Sequence, residues 1–223
     1  MDKKVLDQQS QYWEKNFLSK PGMFGLEPSK AAINTLKNLK EENIKKIVEL
    51  GAGLGRDTVF FAKNSISVEA LDYSPAAIKM INKKSLENNL SSLISTKIFD
   101  VRKKLPFKDS SIEACFSHML YCMAFTTTEL KYLNSEICRI LKPGGINIYT
   151  VRHTGDGDYK NGKHIGEDLY KNDGFIVHFF SEEKVRQIAD NFNIINIEKF
   201  EEGKFPRKLF RIILKKNKTT FSA

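Results

Sequence analysis

The sequence has no apolar run longer than a few residues, whereas a membrane-spanning helix needs about 20. No basic-then-apolar leader opens it, so the expected location is the cytoplasm. Cysteine is scarce. Cys115, Cys122 and Cys138 are an odd set without Cys-x-x-Cys spacing, which argues against a disulfide framework or a cysteine-held zinc and for reduced, structural thiols. Glycine (13) and proline (6) are too few for a collagen-like or low-complexity chain, and 41% hydrophobic residues with 16 Phe exclude a disordered one. Repeats are absent. The 223 residues suit one globular domain with a substantial core.

Acidic residues are also in the minority, 27 against 36 Lys plus Arg, and the resulting net charge of +9 invites a nucleic-acid or other anionic partner. Their distribution weakens that invitation. Lysines such as Lys37, Lys40, Lys45, Lys63 and Lys79 are scattered singly, the pattern of solvated helix faces. The one dense basic stretch, Lys204 to Lys216, alternates with Phe210, Ile212 and Leu214, as a buried terminal strand with charged ends would.

From Lys45 onward, short β-branched runs alternate with helical-period segments, the signature of βαβ units. Seven strands are predicted: Lys46 to Leu50, Ser67 to Leu71, Ser95 to Phe99, Ile112 to Ser117, Ile146 to Val151, Ile194 to Phe200 and Leu209 to Leu214. Ser74-Pro75 and the Thr126/Glu129 capping box mark helix starts, and the second helix should stop at Pro143-Gly144. Glu201 to Lys208 is too short for a parallel return, which takes about a dozen residues, so the last two strands should pair antiparallel. The fold expected is α/β: a Rossmann-like, seven-stranded, mostly parallel sheet with an antiparallel C-terminal strand and helices on both faces. Residues 1–44 carry an aromatic cluster (Tyr12, Trp13, Phe17, Phe24) and a helix started by Ser29, and are expected to cap a sheet edge. Residues 45–223 form the rest of one structural domain, interrupted by an irregular, functional loop over 152–180.

Where the first strand turns into a helix lies Val48-Glu49-Leu50-Gly51-Ala52-Gly53-Leu54-Gly55-Arg56. Glycines there let the backbone approach a ligand, and Asp72, 19 residues after Gly53, ends the next strand where ribose hydroxyls would be accepted. A dinucleotide site wants glycine at the position of Arg56 and tolerates no acid beside its pyrophosphate. Glu49 therefore favours a ligand carrying ammonium and sulfonium charge. The competing readings are a ligand-free tight turn, strand-end capping for Asp72 and Asp100, and a structural ion pair for Glu49.

This segment resembles the first motif of class I S-adenosylmethionine (SAM)-dependent methyltransferases. Asp72 resembles the acid of the second motif, Asp100-Val101 the site of the adenine amino group, and Leu141-Lys142-Pro143-Gly144-Gly145 the turn before the fifth strand. The resemblance covers roughly Lys45 to Leu214. It implies SAM as cofactor, held by Glu49, Gly51, Ala52, Gly53, Gly55, Asp72, Tyr73, Asp100, Val101 and Ser117. Tyr12-Trp13 and Met23-Phe24-Gly25 resemble the lid of small-molecule methyltransferases of the thiopurine- and tellurite-resistance-like groups.

Methyl transfer from a sulfonium is an in-line displacement that mainly needs alignment at about 3–3.5 Å, so no catalytic residue is required. His118 and Tyr121 are the candidates, His118 as a base near neutral pH or as a ring fixed by backbone hydrogen bonds. The Asn/Asp-Pro-Pro-aromatic motif of amine-methylating enzymes for bases or glutamine is absent after the fourth strand. Ser117 to Met123 offers Met119, Tyr121 and Met123 instead, suited to a soft or apolar acceptor, with core packing as the competing reading. Tyr12, Met119, Arg152, His153 and His178 are the candidate substrate residues. Asp156, Asp158 and Glu167 have calcium-loop spacing, but Lys160 and Asn161 break the pattern, and no metal is expected. The function expected is methylation of a small molecule, with an RNA methyltransferase and a non-catalytic SAM-binding module as alternatives. Oligomeric state is left open.

Overall fold

The computed structural model describes residues 3–203 and 206–217; Lys204, which heads the basic stretch, lies outside them. Helices α1 (Lys3–Asp7), α2 (Gln9–Ser19) and α3 (Lys30–Glu41) precede β1 (Lys46–Leu50). Then follow α4 (Arg56–Lys63), β2 (Ser67–Asp72), α5 (Pro75–Glu87), β3 (Ile94–Ile98), β4 (Ile112–Ser117), α6 (Thr127–Ile140) and β5 (Leu141–Arg152). The chain closes with β6 (Lys163–Gly166), β7 (Leu169–Asn172), β8 (Phe175–His178), α7 (Glu182–Ile188), β9 (Phe192–Glu202) and β10 (Arg207–Lys216).

Seven strands form one sheet in the order β3-β2-β1-β4-β5-β10-β9. The first five are parallel and β10 is antiparallel to both β5 and β9. Strand order reverses between β1 and β4, so a crevice opens outside their carboxyl ends. Alternating side chains divide the core. Val48, Leu50, Tyr149 and Val151 pack with Leu133, Ile137 and Val185 of α6 and α7 on one face. Ile47, Ala114, Phe116 and Ile148 pack with Leu36, Phe61 and Ile81 of α3, α4 and α5 on the other. The expected starts hold: Ser74 Oγ accepts from Ala77 N at 3.0 Å, and Thr126 and Glu129 form the reciprocal box, a cap worth about 1 kcal/mol. The basic terminal stretch behaves as a strand, with Leu209 to Leu214 buried between exposed Arg207 and Lys208 and the half-buried Lys215 and Lys216.

Three expectations change. Helix α6 ends at Ile140, ahead of Pro143, and 141–145 instead open β5, with the pairing slipping from Ile112↔Leu141 to Ala114↔Ile146. A residue before proline is pushed toward extended backbone, which stops the helix early. The 152–180 segment is irregular only in its first part, with turns over 154–162; beyond that β6, β7 and β8 form a three-stranded antiparallel meander. Its second turn is Asp173-Gly174, with φ of 47° and 87°, the two-residue hairpin turn that Asp-Gly favours. Helix α2 of the N-terminal segment lies over the carboxyl ends of the strands and not along an edge strand of the seven-stranded sheet. Helix α2 packs on α5 and β8, and Gln9 Nε2 and Tyr12 OH donate to the carbonyls of Gly174 (3.0 Å) and Asp173 (2.6 Å) in the meander turn. No described helix is long and apolar enough to cross a membrane.

Candidate active site

A cavity of about 1160 Å³ lies over the carboxyl ends of β1, β2, β4 and β5, between α2, the meander and the β9–β10 tip. It has room for a nucleoside and a second molecule. One half is built from the glycine loop. Gly51 has φ of 69°, and a Cβ there would lie 2.8 Å from Leu120 Cδ1, so only glycine fits. A Cβ on Gly53 would meet only Phe17 and Phe24 at 3.8–3.9 Å; the loop backbone thus faces the cavity beneath those rings.

Asp72 sits where β2 ends. Its Oδ2 accepts from Gly53 N and its Oδ1 from Ser74 N, both at 2.9 Å, so one carboxylate ties the glycine loop to the start of α5. Burial nevertheless pushes its pKa up to about 6. Glu49, buried at the end of β1, hydrogen-bonds Thr58 Oγ1 at 2.5 Å, and burial together with Asp57 raises its pKa well above the usual range. Two acids on one wall whose charged forms burial disfavours are a poor seat for phosphate and a good one for a cation, whose charge would favour the carboxylates. These residues therefore fit a positively charged nucleoside. Tyr73, Ala52 and Val101 also line this half, as does Asp100, but both Asp100 oxygens accept from Arg102 (2.8–3.2 Å), which holds its pKa down.

Two residues expected in the cofactor set lie elsewhere. Gly55 is off the cavity: it caps α4 at φ 76°, and a Cβ would lie 2.6 Å from Ile81 Cγ1, so its glycine serves helix packing. Ser117 is buried behind the wall, and its Oγ has no hydrogen-bond partner.

The facing half collects Met119, Met123, Phe125 and Phe179 with Arg56, His118, Arg152, Glu202 and Arg207. Met119 takes a left-handed φ of 63° while its N–H donates to Thr150 Oγ1 at 2.9 Å, which turns the chain sharply after β4. His118 lines the cavity and its Nδ1 bonds the same hydroxyl at 2.9 Å, but burial drops its pKa to about 4, so it is neutral at pH 7 and a weak base. Tyr121 does not line the cavity. It is fully buried, stacked on Tyr149 with centroids 4.0 Å apart, and bonded through its hydroxyl to Asn134 (2.6 Å) and Asn147 (3.0 Å).

Of the expected substrate residues, Met119 and Arg152 reach the cavity and three do not. Tyr12 packs edge-on against Phe175 and is spent on the meander turn. His153 stacks on Phe210 at 4.7 Å and accepts from Gly155 N. His178 is sealed in the core, donating from Nδ1 to the carbonyl of Phe125 at 2.9 Å. Asp156 and Asp158 both pair with Arg152.

Sequence reading missed Arg56, Glu202 and Arg207 as site residues. Arg56 stood out only as a glycine replaced; in the structure it binds the carbonyl of Phe24 (3.0 Å) and Glu202 (3.3 Å). Glu202 and Arg207 flank the β9–β10 turn, and nothing in their local sequence says that this turn folds back over β1 and β4.

Residues 47–145 match the family model described as a methyltransferase domain. A curated relative, phosphoethanolamine N-methyltransferase 1 of Triticum aestivum, is 30% identical over 142 residues, 62% of this chain. The chain spans about a quarter (27%) of that relative's length. Among solved structures, a SAM-dependent methyltransferase of Methanosarcina mazei superposes with a TM-score of 0.72 at 20% identity, over 86% of this chain and 100% of that one. The 1,6-didemethyltoxoflavin-N1-methyltransferase of Burkholderia thailandensis, bound to its substrate and S-adenosylhomocysteine (SAH), superposes at 0.70 with 16% identity, over 95% and 90%.

Proposed function

We propose that this chain, which carries a methyltransferase domain within the class I, SAM-dependent fold, transfers the methyl group of SAM to a small-molecule acceptor. The observation that carries the proposal is Glu49: a buried carboxyl beside the glycine loop, hydrogen-bonded to a neutral hydroxyl, in the place where a pyrophosphate would be repelled and an ammonium group held. Asp72 would take the ribose hydroxyls, and Gly51 to Gly53 would let the backbone close on the ligand. Because Asp100 is committed to Arg102, the adenine would rest on the apolar wall of Val101 and Phe99.

The cofactor supplies an electrophilic methyl carbon. The protein's part is positioning and exclusion of water. Met119, Met123 and Phe125 would seat the acceptor's apolar body, and Trp13 and Phe17 of α2 with Phe175 of the meander would cover the site. His118, neutral at pH 7, adds no positive charge opposite a sulfonium. We treat residues 1–44 as the cap of a single structural domain, and a cytoplasmic location as the compartment that suits three free cysteines.

Calorimetry should find micromolar SAM binding, and a panel of thiols, phenols, amines and chalcogen oxyanions should contain an acceptor that yields SAH. A loss of SAM affinity under about twofold in Asp72→Ala would count against the site. Absence of methyl uptake across the panel would favour a binding module. Steeply salt-dependent RNA affinity would favour an RNA substrate.

A further inference from the structure

The chain is net +9, yet its cavity has the opposite balance: among the described lining residues, nine acidic side chains face five cationic ones. The exposed rim carries Glu27, Asp158 and Asp173 against Lys30 and Arg207, so three of the four excess acids lie within. Part belongs to the cofactor half, where Glu49, Asp72 and Asp100 meet Arg102. The rest belongs to the acceptor half, where Arg56 and Arg152 each face two carboxylates and the third guanidinium, Arg207, lies exposed at the rim. Arg152 pairs with Asp156 and Asp158, and Arg56 lies 3.3 Å from Glu202 and 3.7 Å from Asp57. Asp158 is half exposed and largely screened, whereas the Arg56 group is shielded from solvent.

Within that group Glu202 is incompletely satisfied. Its Oε1 faces Arg56, but its Oε2 is buried without a hydrogen-bond partner, 3.8 Å from His118 Nε2. His118 cannot complete the pair as an imidazolium, because burial keeps its ring neutral at pH 7. A buried carboxylate oxygen lacking a donor is costly, so the corner is chemically unfinished. Two polar atoms 3.8 Å apart can both be reached by one nitrogen at about 2.8–3.0 Å once the Glu202 carboxyl turns Oε2, closed to solvent in this structure, toward the cavity.

We propose that the acceptor is a small organic amine, bound as its ammonium ion in the corner between His118 and Glu202, with Glu202 as the residue that selects it and then takes one proton from it, so that the freed nitrogen lone pair attacks the methyl carbon as the carbon–sulfur bond breaks and SAH leaves. The inference rests on reading this cavity as the methyl-transfer site. An ammonium group has several donors: one for Glu202 Oε2, and one for His118 Nε2 when Nδ1 directs its proton to Thr150 Oγ1, 2.9 Å away. Its charge cancels the carboxylate excess around Arg56. An alcohol or thiol has one donor and no charge, and carboxylates and phosphates are repelled. Met119, Met123, Phe125 and Phe179 enclose the carbon body beside this polar corner. Neutral exocyclic amines of nucleobases lack the charge that the corner calls for.

The test is calorimetry of benzylammonium, benzyl alcohol and benzoate on the full chain at pH 7, with and without SAH. Benzylammonium should bind at least about tenfold tighter than benzyl alcohol, and benzoate more weakly than either. In Glu202→Gln the preference should shrink below about threefold, and Glu202→Asp should restore part of it, while SAH affinity stays within about twofold in both. Equal binding of the ammonium and the alcohol, no measurable binding of the ammonium, or a full preference kept in Glu202→Gln overturns the proposal. Circular-dichroism melts check that the variants fold, and if the Gln variant does not, the partial loss in Glu202→Asp decides. Failure of SAH to bind the unaltered chain strikes the methyl-transfer reading instead, and the series without SAH still decides whether the corner prefers a cation.

Discussion

The two halves of the cavity are built by different means. The cofactor half comes from contiguous chain: a strand end, the two glycines Gly51 and Gly53 and an acid at the next strand end, tied together by Asp72 bonding Gly53 and Ser74. The acceptor half is gathered from α2, the β4–α6 connection, the meander and the β9–β10 turn, with partners such as Arg56 and Glu202 146 positions apart. A local motif can be preserved whole while the facing wall is rebuilt. Binding of the common ligand and choice of the second one are thereby separable.

That separation can be broken most sharply at Asp72. Asp72→Asn keeps the shape but loses the charge and one acceptor function, and should weaken SAM binding by about 10–100-fold in calorimetry, while leaving any amine preference at Glu202 intact. Loss of both together would mean that the halves are not independent. Next in size, Gly55→Ala forces a Cβ to 2.6 Å from Ile81 Cγ1 at a positive φ and should cost about 2–4 kcal/mol in urea unfolding. A cost below about 0.5 kcal/mol would return Gly55 to the list of possible ligand contacts.

The pH dependence sharpens the contrast further. Asp72 has its folded pKa raised from 3.8 to about 6, so the folded protein without ligand holds that proton more tightly than the unfolded chain. This contribution to stability is present below about pH 4 and is lost as pH rises through about 6. A cationic ligand prefers the ionised acid, so SAM affinity should climb from pH 5 to 7 and flatten in Asp72→Asn. His118, whose pKa is pushed down to about 4, should show imidazole NMR shifts that stay level over the same range. Smallest of all, Tyr121→Phe should lower stability by about 1 kcal/mol through the abandoned Asn134 and Asn147, with kcat unchanged. A fall in kcat of tenfold or more would put the hydroxyl back into the chemistry.

The sheet, the helix starts and the glycine-loop acids were readable because each depends on near neighbours in sequence: strand alternation, a Ser-Pro or capping-box start, an acid at a strand end. The meander was readable too, from Asp173-Gly174, but glycine-rich sequence over 152–180 masked a hairpin signal that needs only two residues. Tyr121 and His178 misled for a common reason. A polar side chain at a strand end or in a glycine-rich segment looks available, and burial is decided by elements far away, here α6 and β5 for the tyrosine and the β4–α6 connection for the histidine.

Sequence alone determined the chain order of the seven strands of the main sheet, the glycine backbone at Gly51 and Gly53, and the acids Glu49 and Asp72 beside it, since all follow from local sterics and short spacings. Tertiary structure alone decided which side chains face that loop. The placement of the β9–β10 turn, the pairing of Arg56 with Glu202 and the neutrality of His118 arise only when distant segments exclude water from one another, and no spacing along the chain encodes that exclusion.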